Sequence, residues 1–156
     1  MKRLALGAAL VALLLNILAE HWLMTMRSGI VLMPGLADVH QVWNRGVSFS
    51  LLSQDSATGR YLLIAFLVAI SLGVAVMAWR TKHWIHALAF GLILGGAVGN
   101  LFDRAFYGAV FDFLFLHLGA LPLFICNLAD VFISAGTLLL VLDFLLPSKA
   151  AQKART

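Results

Sequence analysis

The stretch AFGLILGGAVGNLFDR, from Ala89 to Arg104, combines a long apolar run with regularly spaced glycines. Gly91, Gly95 and Gly99 recur every four residues, so they lie on one face of a helix. A stripe of small residues allows a neighbouring backbone to approach closely, which is how many membrane helices pack. The stretch therefore predicts a membrane-spanning helix that packs tightly against a neighbour.

The whole chain has the composition of a membrane protein. Of its 156 residues, 62% are hydrophobic and 12% are charged, whereas soluble domains are about half apolar and a quarter charged. Because a span needs about 20 apolar residues, four segments qualify: 4–24, 61–79, 84–102 and 123–146. We expect a single membrane domain over residues 1–156. The first apolar run is longer than that of a cleavable signal peptide, so we expect it to be retained.

Charge placement predicts the orientation of the spans. Basic residues lie before the first span, between the second and third, and after the fourth: Lys2, Arg3, Arg80, Lys82, Lys149, Lys153 and Arg155. By the positive-inside rule, both termini are then cytoplasmic and the two longer loops face outward. This distribution argues against nucleic-acid binding, despite a net charge of +4.

The two outward loops have different patterns. VHQVWNRGVSFSLL, residues 39–52, alternates like a strand around the turn-like triplet Asn44-Arg45-Gly46. GAVFDFLFLHLG, residues 108–119, is apolar but only about half a span in length. We therefore predict an all-α integral membrane protein with four transmembrane helices. A small extracytoplasmic β element follows the first helix, and an interfacial segment joins the third helix to the fourth.

Two acidic residues are candidates for chemistry, because ionisable groups at membrane depth are costly. Asp130 lies about seven residues into the predicted fourth span, and Asp112 lies in the loop before that span. Asp143 is roughly 20 Å further along the same helix at 1.5 Å per residue, so it cannot share a proton with Asp130 and is expected to face Lys149 and water. If two carboxyl groups meet, they are those of Asp112 and Asp130. Such a pair shares a proton at low dielectric, which suits general acid–base hydrolysis of a peptide bond.

Residue types alone leave other interpretations open. Asp130 could form a buried ion pair with Arg104, while Asp112 merely caps a turn. Arg104 shares a helix face with Asn100. A polar stripe on the fourth span could form an ion or solute path, or its hydroxyls could bond neighbouring helices. That stripe comprises Asn127, Asp130, Ser134 and Thr137.

Cysteine and metal chemistry are less well supported. Cys126 with His117 could form a dyad, but a buried thiol without a nearby cation is inert. The histidines His21, His40 and His117 lack the spacing of metal ligands.

Four motifs, in chain order, resemble those of the lipoprotein signal peptidases (signal peptidase II), which are bacterial intramembrane aspartyl proteases. They are NRGVSF (residues 44–49), GGAVGNLFDR (95–104), VFDF (110–113) and NLAD (127–130). The resemblance covers most of the chain. It implies cleavage of prolipoproteins on the amino side of a diacylglyceryl-modified cysteine, at the outer face of the cytoplasmic membrane. It implies no metal or organic cofactor, and lipidated prolipoproteins and membrane lipids as partners; we expect a monomer.

By motif match, Asp112 and Asp130 would be the catalytic pair. The supporting polar residues would be Asn44, Gly46, Asn100, Arg104 and Asn127. The chain also departs from the family, which usually has an Asp and, four residues later, a Lys near the end of the first span. Asn16 and Glu20 occupy those positions, Ser48 replaces an alanine, and Cys126 replaces an aromatic residue. An inactive relative that binds precursors without cutting them is therefore an alternative.

Overall fold

A computed structural model describes residues 1–26, 29–46 and 57–146. Within them four helices are long and apolar enough to cross a membrane. These are α1 (Lys2–Met24), α2 (Ala57–Arg80), α3 (Trp84–Phe106) and α4 (Leu128–Leu145). Four strands complete the described fold: β1 (Ile30–Met33), β2 (Ala37–Asn44), β3 (Val110–Leu118) and β4 (Leu121–Cys126). The predicted four helices are confirmed. The basic tail after residue 146 and Ser48 lie outside the described residues.

The strands form one antiparallel sheet in the order β1-β2-β3-β4. The predicted β element between the first two helices is confirmed, because β1 and β2 lie there. The segment predicted to lie at the interface between α3 and α4 forms β3, which pairs with β2 and β4; its depth in the membrane stays a prediction. An all-α class therefore understates the fold. Segment length could not reveal this, because a strand and a shallow helix of nine apolar residues have the same hydropathy.

The start of the fourth helix is also corrected. Residues 123–126 were assigned to the span, but they belong to β4, and α4 begins at Leu128 with Asn127 as its N-cap. Asp130 therefore lies in the first turn of α4 and not seven residues into a helix. The apolar strand and the apolar helix follow each other directly, so hydropathy alone merges them.

The glycine stripe of α3 packs as predicted. A Cβ atom placed on Gly91 would lie 2.5 Å from the Ala5 carbonyl oxygen, and one on Gly99 would lie 2.9 Å from Asn16 Nδ2. Gly95 likewise faces the α1 backbone. The sequence did not predict that Gly96 packs against the α4 backbone at Ala129. Glycines therefore bring α3 close to two neighbours, α1 and α4.

The sheet is attached to the helical bundle by an apolar cluster. Leu23 at the end of α1 packs with Val39 of β2 and with Phe111 and Phe113 of β3, all of them buried. Burial of such side chains stabilises the contact by roughly 1.5–3 kcal/mol for each residue. This cluster fixes β3, and with it Asp112, against the same end of the bundle as the first turn of α4.

Asp143 lies near the far end of α4 and has a different environment. Its Oδ2 atom is 2.9 Å from His86 Nε2 on α3. The sequence predicted that it faces water and Lys149, and Lys149 is outside the described residues. Asp143 lines a different cavity from that of Asp112 and Asp130.

Candidate active site

One cavity of about 290 Å³ is lined by both candidate aspartates. Its polar wall consists of Asn44, Ser71, Asn100, Arg104, Asp112 and Asp130. Its apolar wall comes from three helices and includes Leu63, Leu67, Ile70, Ile93, Ala97 and Ile133. We call it the polar cavity. Residues that are far apart in sequence therefore meet, through α3, α4 and the sheet, at a single site.

Asp112 presents one bound and one free oxygen. The residue is 1% exposed, and its Oδ2 atom accepts a hydrogen bond of 2.9 Å from Asn44 Nδ2. The Asn44 side-chain oxygen in turn accepts the Gly46 N–H at 3.0 Å. Within the described structure Asp112 Oδ1 is buried and has no hydrogen-bond partner. That oxygen is available to a water molecule or a substrate group in the polar cavity.

The environment of Asp112 raises its pKa from 3.8 to about 6. Burial is the largest cause, because it penalises the ionised form. The charge of Asp130 raises the pKa further, whereas the Asn44 hydrogen bond and the Arg104 charge lower it. Asp112 therefore retains its proton to a pH at which an ordinary aspartate is fully ionised.

This pKa predicts how stability depends on pH. An acid with a raised folded-state pKa has no effect below about pH 4, where both states are protonated, and destabilises increasingly up to about pH 6. A shift of about two units corresponds to roughly 3 kcal/mol. Asp112→Asn lacks this cost, while its amide oxygen can still accept the bond from Asn44.

We expect Asp112→Asn to be more stable than the wild type by about 1–3 kcal/mol at pH 8, and equally stable near pH 4. Thermal unfolding in detergent at pH 4, 6 and 8 measures the difference. A stability difference that does not change with pH would contradict the raised pKa of Asp112.

Asp130 accepts a hydrogen bond from an amide side chain, which is itself held by a second amide. Asn100 Nδ2 donates to Asp130 Oδ1 at 2.8 Å, and Asn127 Nδ2 donates to Asn100 Oδ1 at 2.9 Å. Asn127 and Asp130 also form a reciprocal capping box at the start of α4. Negative charge is favoured there, at the positive end of the helix dipole. Helix capping thus explains why Asn127 lies beside Asp130.

Arg104 joins the β2 end to α3. Its Nη2 atom donates to the Gly46 carbonyl at 2.9 Å, and Nη1 donates to the Asn100 carbonyl at 3.3 Å. Across the described chain the only ion pairs are His86–Asp143 and His117–Asp38. The alternative of a direct Arg104–Asp130 ion pair is therefore wrong. The Arg104 guanidinium acts on both aspartates as a nearby positive charge.

The hydroxyls of the α4 stripe do not reach the polar cavity. Ser134 and Thr137 are exposed, and Thr137 Oγ1 donates to the Ile133 carbonyl of its own helix at 2.8 Å. The prediction that Thr137 bonds a neighbouring helix is wrong. Neither residue lines the cavity, so an ion path along this stripe has no support from the geometry.

Cys126 lies next to the N-cap of α4 but is chemically unfavourable as a nucleophile. Burial, together with the charges of Asp130 and Asp112, raises the pKa of its thiol to about 12. His117 is engaged elsewhere, with Nδ1 2.8 Å from the Gly119 carbonyl and Nε2 3.3 Å from Asp38. The thiol therefore stays protonated at neutral pH and is unreactive.

Cys126→Ala should leave the expected peptide-bond hydrolysis within about threefold of the wild-type rate, since no step of a two-carboxyl mechanism needs a thiolate. Initial cleavage rates of the two proteins measure this. As a control, alkylation by iodoacetamide at pH 7 tests whether the Cys126 thiol is reactive. An inactive but folded Cys126→Ala protein would return the thiol to the mechanism.

Three buried polar residues were not recognised as a group from the sequence. Asn16 and Glu20 on α1 are 0% and 5% exposed, and Asp103 on α3 is 1% exposed. The family pattern marks Asn16 and Glu20 only as departures, and Asp103 stands next to Arg104 in the same motif. The signal that could have found them is an Asn and a Glu four residues apart within an otherwise apolar span.

Comparison with known proteins supports this fold and identifies the family. A family model described as signal peptidase (SPase) II matches residues 8–146. The chain belongs to the signal peptidase II family. The resemblance seen in the sequence motifs is confirmed. Signal peptidase II enzymes are proteases that process prolipoproteins, and with four apolar helices the chain is a multi-pass bacterial inner-membrane protein.

Individual relatives of this chain support the same family assignment. The lipoprotein signal peptidase of Methylorubrum extorquens (strain PA1) is 48% identical over 115 residues, 74% of this chain and 67% of the relative. That of Rhodopseudomonas palustris (strain ATCC BAA-98 / CGA009) is 35% identical over 158 residues, 96% of both chains. Two solved bacterial membrane enzymes share the fold with a TM-score of 0.76 each. They are 20% and 19% identical to this chain, cover 90% and 92% of it, and are themselves covered to 87% and 94%.

Proposed function

We propose that this chain is an aspartic endopeptidase that removes the signal peptide from diacylglyceryl-cysteine prolipoproteins. The observation that carries the proposal is the opposite environment of two carboxyl groups on one cavity. Asp112 is buried, with a raised pKa and an oxygen that has no partner among the described groups. Asp130 lies at the positive end of α4 and accepts hydrogen bonds from N–H donors of the described residues. Two acids with different environments supply a general acid and a general base.

The proposed reaction needs only water and these two groups. The ionised Asp130 takes a proton from water as the water oxygen attacks the scissile carbonyl carbon, while Asp112 donates its proton to the carbonyl oxygen. In the resulting tetrahedral intermediate Asp130 gives its proton to the nitrogen as the carbon–nitrogen bond breaks, so that a neutral amine leaves. Asp112 recovers a proton from the hydroxyl that becomes the carbonyl of the new carboxyl group. Each carboxyl group ends the cycle in its starting protonation state.

The supporting residues hold this pair in place. Asn44 fixes one oxygen of Asp112, and Asn100 and Asn127 fix Asp130. Arg104 holds Gly46 at the cavity edge, which leaves the end of β2 positioned beside the scissile peptide. The apolar wall formed by α2, α3 and α4 suits the apolar segment and acyl chains of a lipidated substrate.

The orientation in the membrane follows from the same proposal. A monomer with both termini cytoplasmic, as the basic residues predict, places the sheet and the polar cavity toward the outer leaflet. A prolipoprotein anchored there by its diacylglyceryl group would bring its cleavage site to the cavity without leaving the bilayer.

The direct test is cleavage of a diacylglyceryl-modified prolipoprotein by the purified protein in detergent or lipid vesicles. We expect conversion to the mature size, and little or none of the same precursor without its lipid. Binding of the lipidated precursor without cleavage would instead identify an inactive relative, which the replacement of the usual Asp and Lys by Asn16 and Glu20 suggests. Ion flux in vesicles without cleavage would support a transport function.

A further inference from the structure

The mechanism proposed above leaves unused a set of buried polar side chains on α1 and α3. Asn16, Glu20 and Asp103 are each at least 95% buried, and none of them lines the polar cavity. Burial of uncompensated polar or ionised groups costs several kcal/mol. Their retention therefore calls for a set of mutual hydrogen bonds, and we call these three residues the α1–α3 network.

One end of the network binds the backbone of α4. The Ala129 N–H donates to Asn16 Oδ1 at 2.8 Å, and Asn16 Nδ2 donates to Glu20 Oε1 at 2.7 Å. Asn16 therefore uses both ends of its amide. The backbone group that it holds belongs to the residue immediately before Asp130.

The other end of the network binds the backbone of β3. The Phe111 N–H donates to Asp103 Oδ2 at 3.0 Å, and Phe111 immediately precedes Asp112. The remaining oxygen, Asp103 Oδ1, is buried and has no donor among the described groups if both acids are ionised. The side chains of Glu20 and Asp103 are in hydrogen-bonding contact with each other.

Two buried carboxyl groups in contact do not both ionise, so one proton lies between them. Asn16 donates to one Glu20 oxygen, which leaves the other free to carry that proton and to donate it to Asp103. The positive charge that acts on this pair is that of Arg104, which stabilises the Asp103 carboxylate. Together with the Phe111 N–H, which donates to Asp103, it assigns the shared proton to Glu20.

We propose that Glu20, as a protonated donor to Asp103, is a positioning residue that holds the backbones of Asp112 and Asp130 in register through the α1–α3 network. The network runs without interruption from the Ala129 N–H through Asn16, Glu20 and Asp103 to the Phe111 N–H. The inference rests on the proposed function for its effect on catalysis, but the network itself does not. The family usually has an Asp and a Lys at the positions of Asn16 and Glu20. Asn16 with a protonated Glu20 has the same net charge as that pair, which is zero.

The first experiment separates positioning from bulk stability. Glu20→Gln keeps a neutral donor toward Asp103 and an acceptor for Asn16, whereas Glu20→Leu keeps the volume and loses both. We expect Glu20→Gln to cleave a diacylated prolipoprotein within about threefold of the wild-type rate. We expect Glu20→Leu to lose about 10- to 100-fold in kcat with KM little changed, since small displacements of catalytic groups have effects of that size.

A double swap tests the network even where an individual variant fails to cleave. Glu20→Lys alone places two donors face to face, and Asn16→Asp alone adds a charge beside two acids, so each single change should lower Tm by about 4–8 °C. Together they restore a complementary pair, and the double variant should return to within about 2 °C of the wild type.

The outcomes distinguish this inference from the proposed function. If the wild type does not cleave, the proposed function fails. The Tm values of the wild type, the two single variants and the double variant still decide whether the network exists. If the wild type cleaves and Glu20→Leu has an unchanged kcat, with or without a lower Tm, the positioning role is overturned. A Glu20→Gln variant as slow as Glu20→Leu, or additive losses of Tm in the double swap, would also overturn it.

Discussion

Replacement of either Asp112 or Asp130 by asparagine should lower kcat for prolipoprotein cleavage by about a thousandfold or more. Loss of a general acid or base removes a factor of about 10²–10⁴, and an amide can neither take a proton from water nor donate one to the scissile carbonyl oxygen. Asparagine preserves the size of each side chain and an acceptor for Asn44 or Asn100. The fold should therefore survive both changes.

The chain provides a matched control on the same helix. Asp143 is also an aspartate of α4, but it pairs with His86 away from the polar cavity. Asp143→Asn should cleave within about threefold of the wild-type rate, because it removes a charge without touching the reacting groups.

The measurement is the initial rate of maturation of a diacylated prolipoprotein by the wild type and the three Asp→Asn variants. Thermal unfolding of each protein shows whether it is folded. Normal cleavage by Asp112→Asn or by Asp130→Asn would rule out the dyad. An equal loss in Asp143→Asn would show that the effect comes from charge or folding in general.

Gly95→Ala and Gly96→Ala should each destabilise the protein by at least about 1–3 kcal/mol, which is the usual cost of overpacking. A Cβ atom at Gly95 would lie within 3.0 Å of the Ala9 carbonyl oxygen of α1, and one at Gly96 within 3.0 Å of the Ala129 carbonyl oxygen of α4. Backbone atoms cannot rotate away as a side chain can. The helices must therefore separate.

Gly73→Ala on α2 is the matched control, because a Cβ atom there meets nothing within 4 Å. It should leave stability unchanged or raise it by up to about 1 kcal/mol, the difference in helix propensity between glycine and alanine. Thermal or denaturant unfolding of the three variants in detergent tests this. Equal stability of Gly95→Ala and Gly73→Ala would contradict the close approach of α1 and α3.

The two destabilising variants should also differ in activity. Gly96 contacts Ala129, the residue before Asp130, whereas Gly95 contacts Ala9 and Ala12 of α1, neither of which lines the polar cavity. At a temperature where both variants are folded, Gly96→Ala should lower kcat more than Gly95→Ala does. A reversed order would mean that the position of α4 does not limit the chemistry.

Part of the site could be predicted because its signals are local in sequence. Asp112 and Asp130 are acids within apolar surroundings, and Asn44, Asn100 and Arg104 are polar residues in motifs that a family resemblance marks. The structure brings all five to one cavity. Asp103 could not be predicted in the same way, because its role depends on Glu20 and on the Phe111 N–H, which only the folded chain brings to it.

From the sequence alone it follows that this is an integral membrane protein, that it has four spanning helices, and that α3 packs closely through glycines. These follow from hydropathy and from the period of the helix, which are properties of residues near one another in the chain. The folded structure was needed to show that residues 110–118 and 121–126 are strands and that Asp130 lies in the first turn of a helix. Only it showed that Asn16, Glu20 and Asp103 connect the backbones beside both aspartates. Strand pairing and buried hydrogen bonds depend on partners that are distant in sequence, and no local pattern of residues specifies those partners.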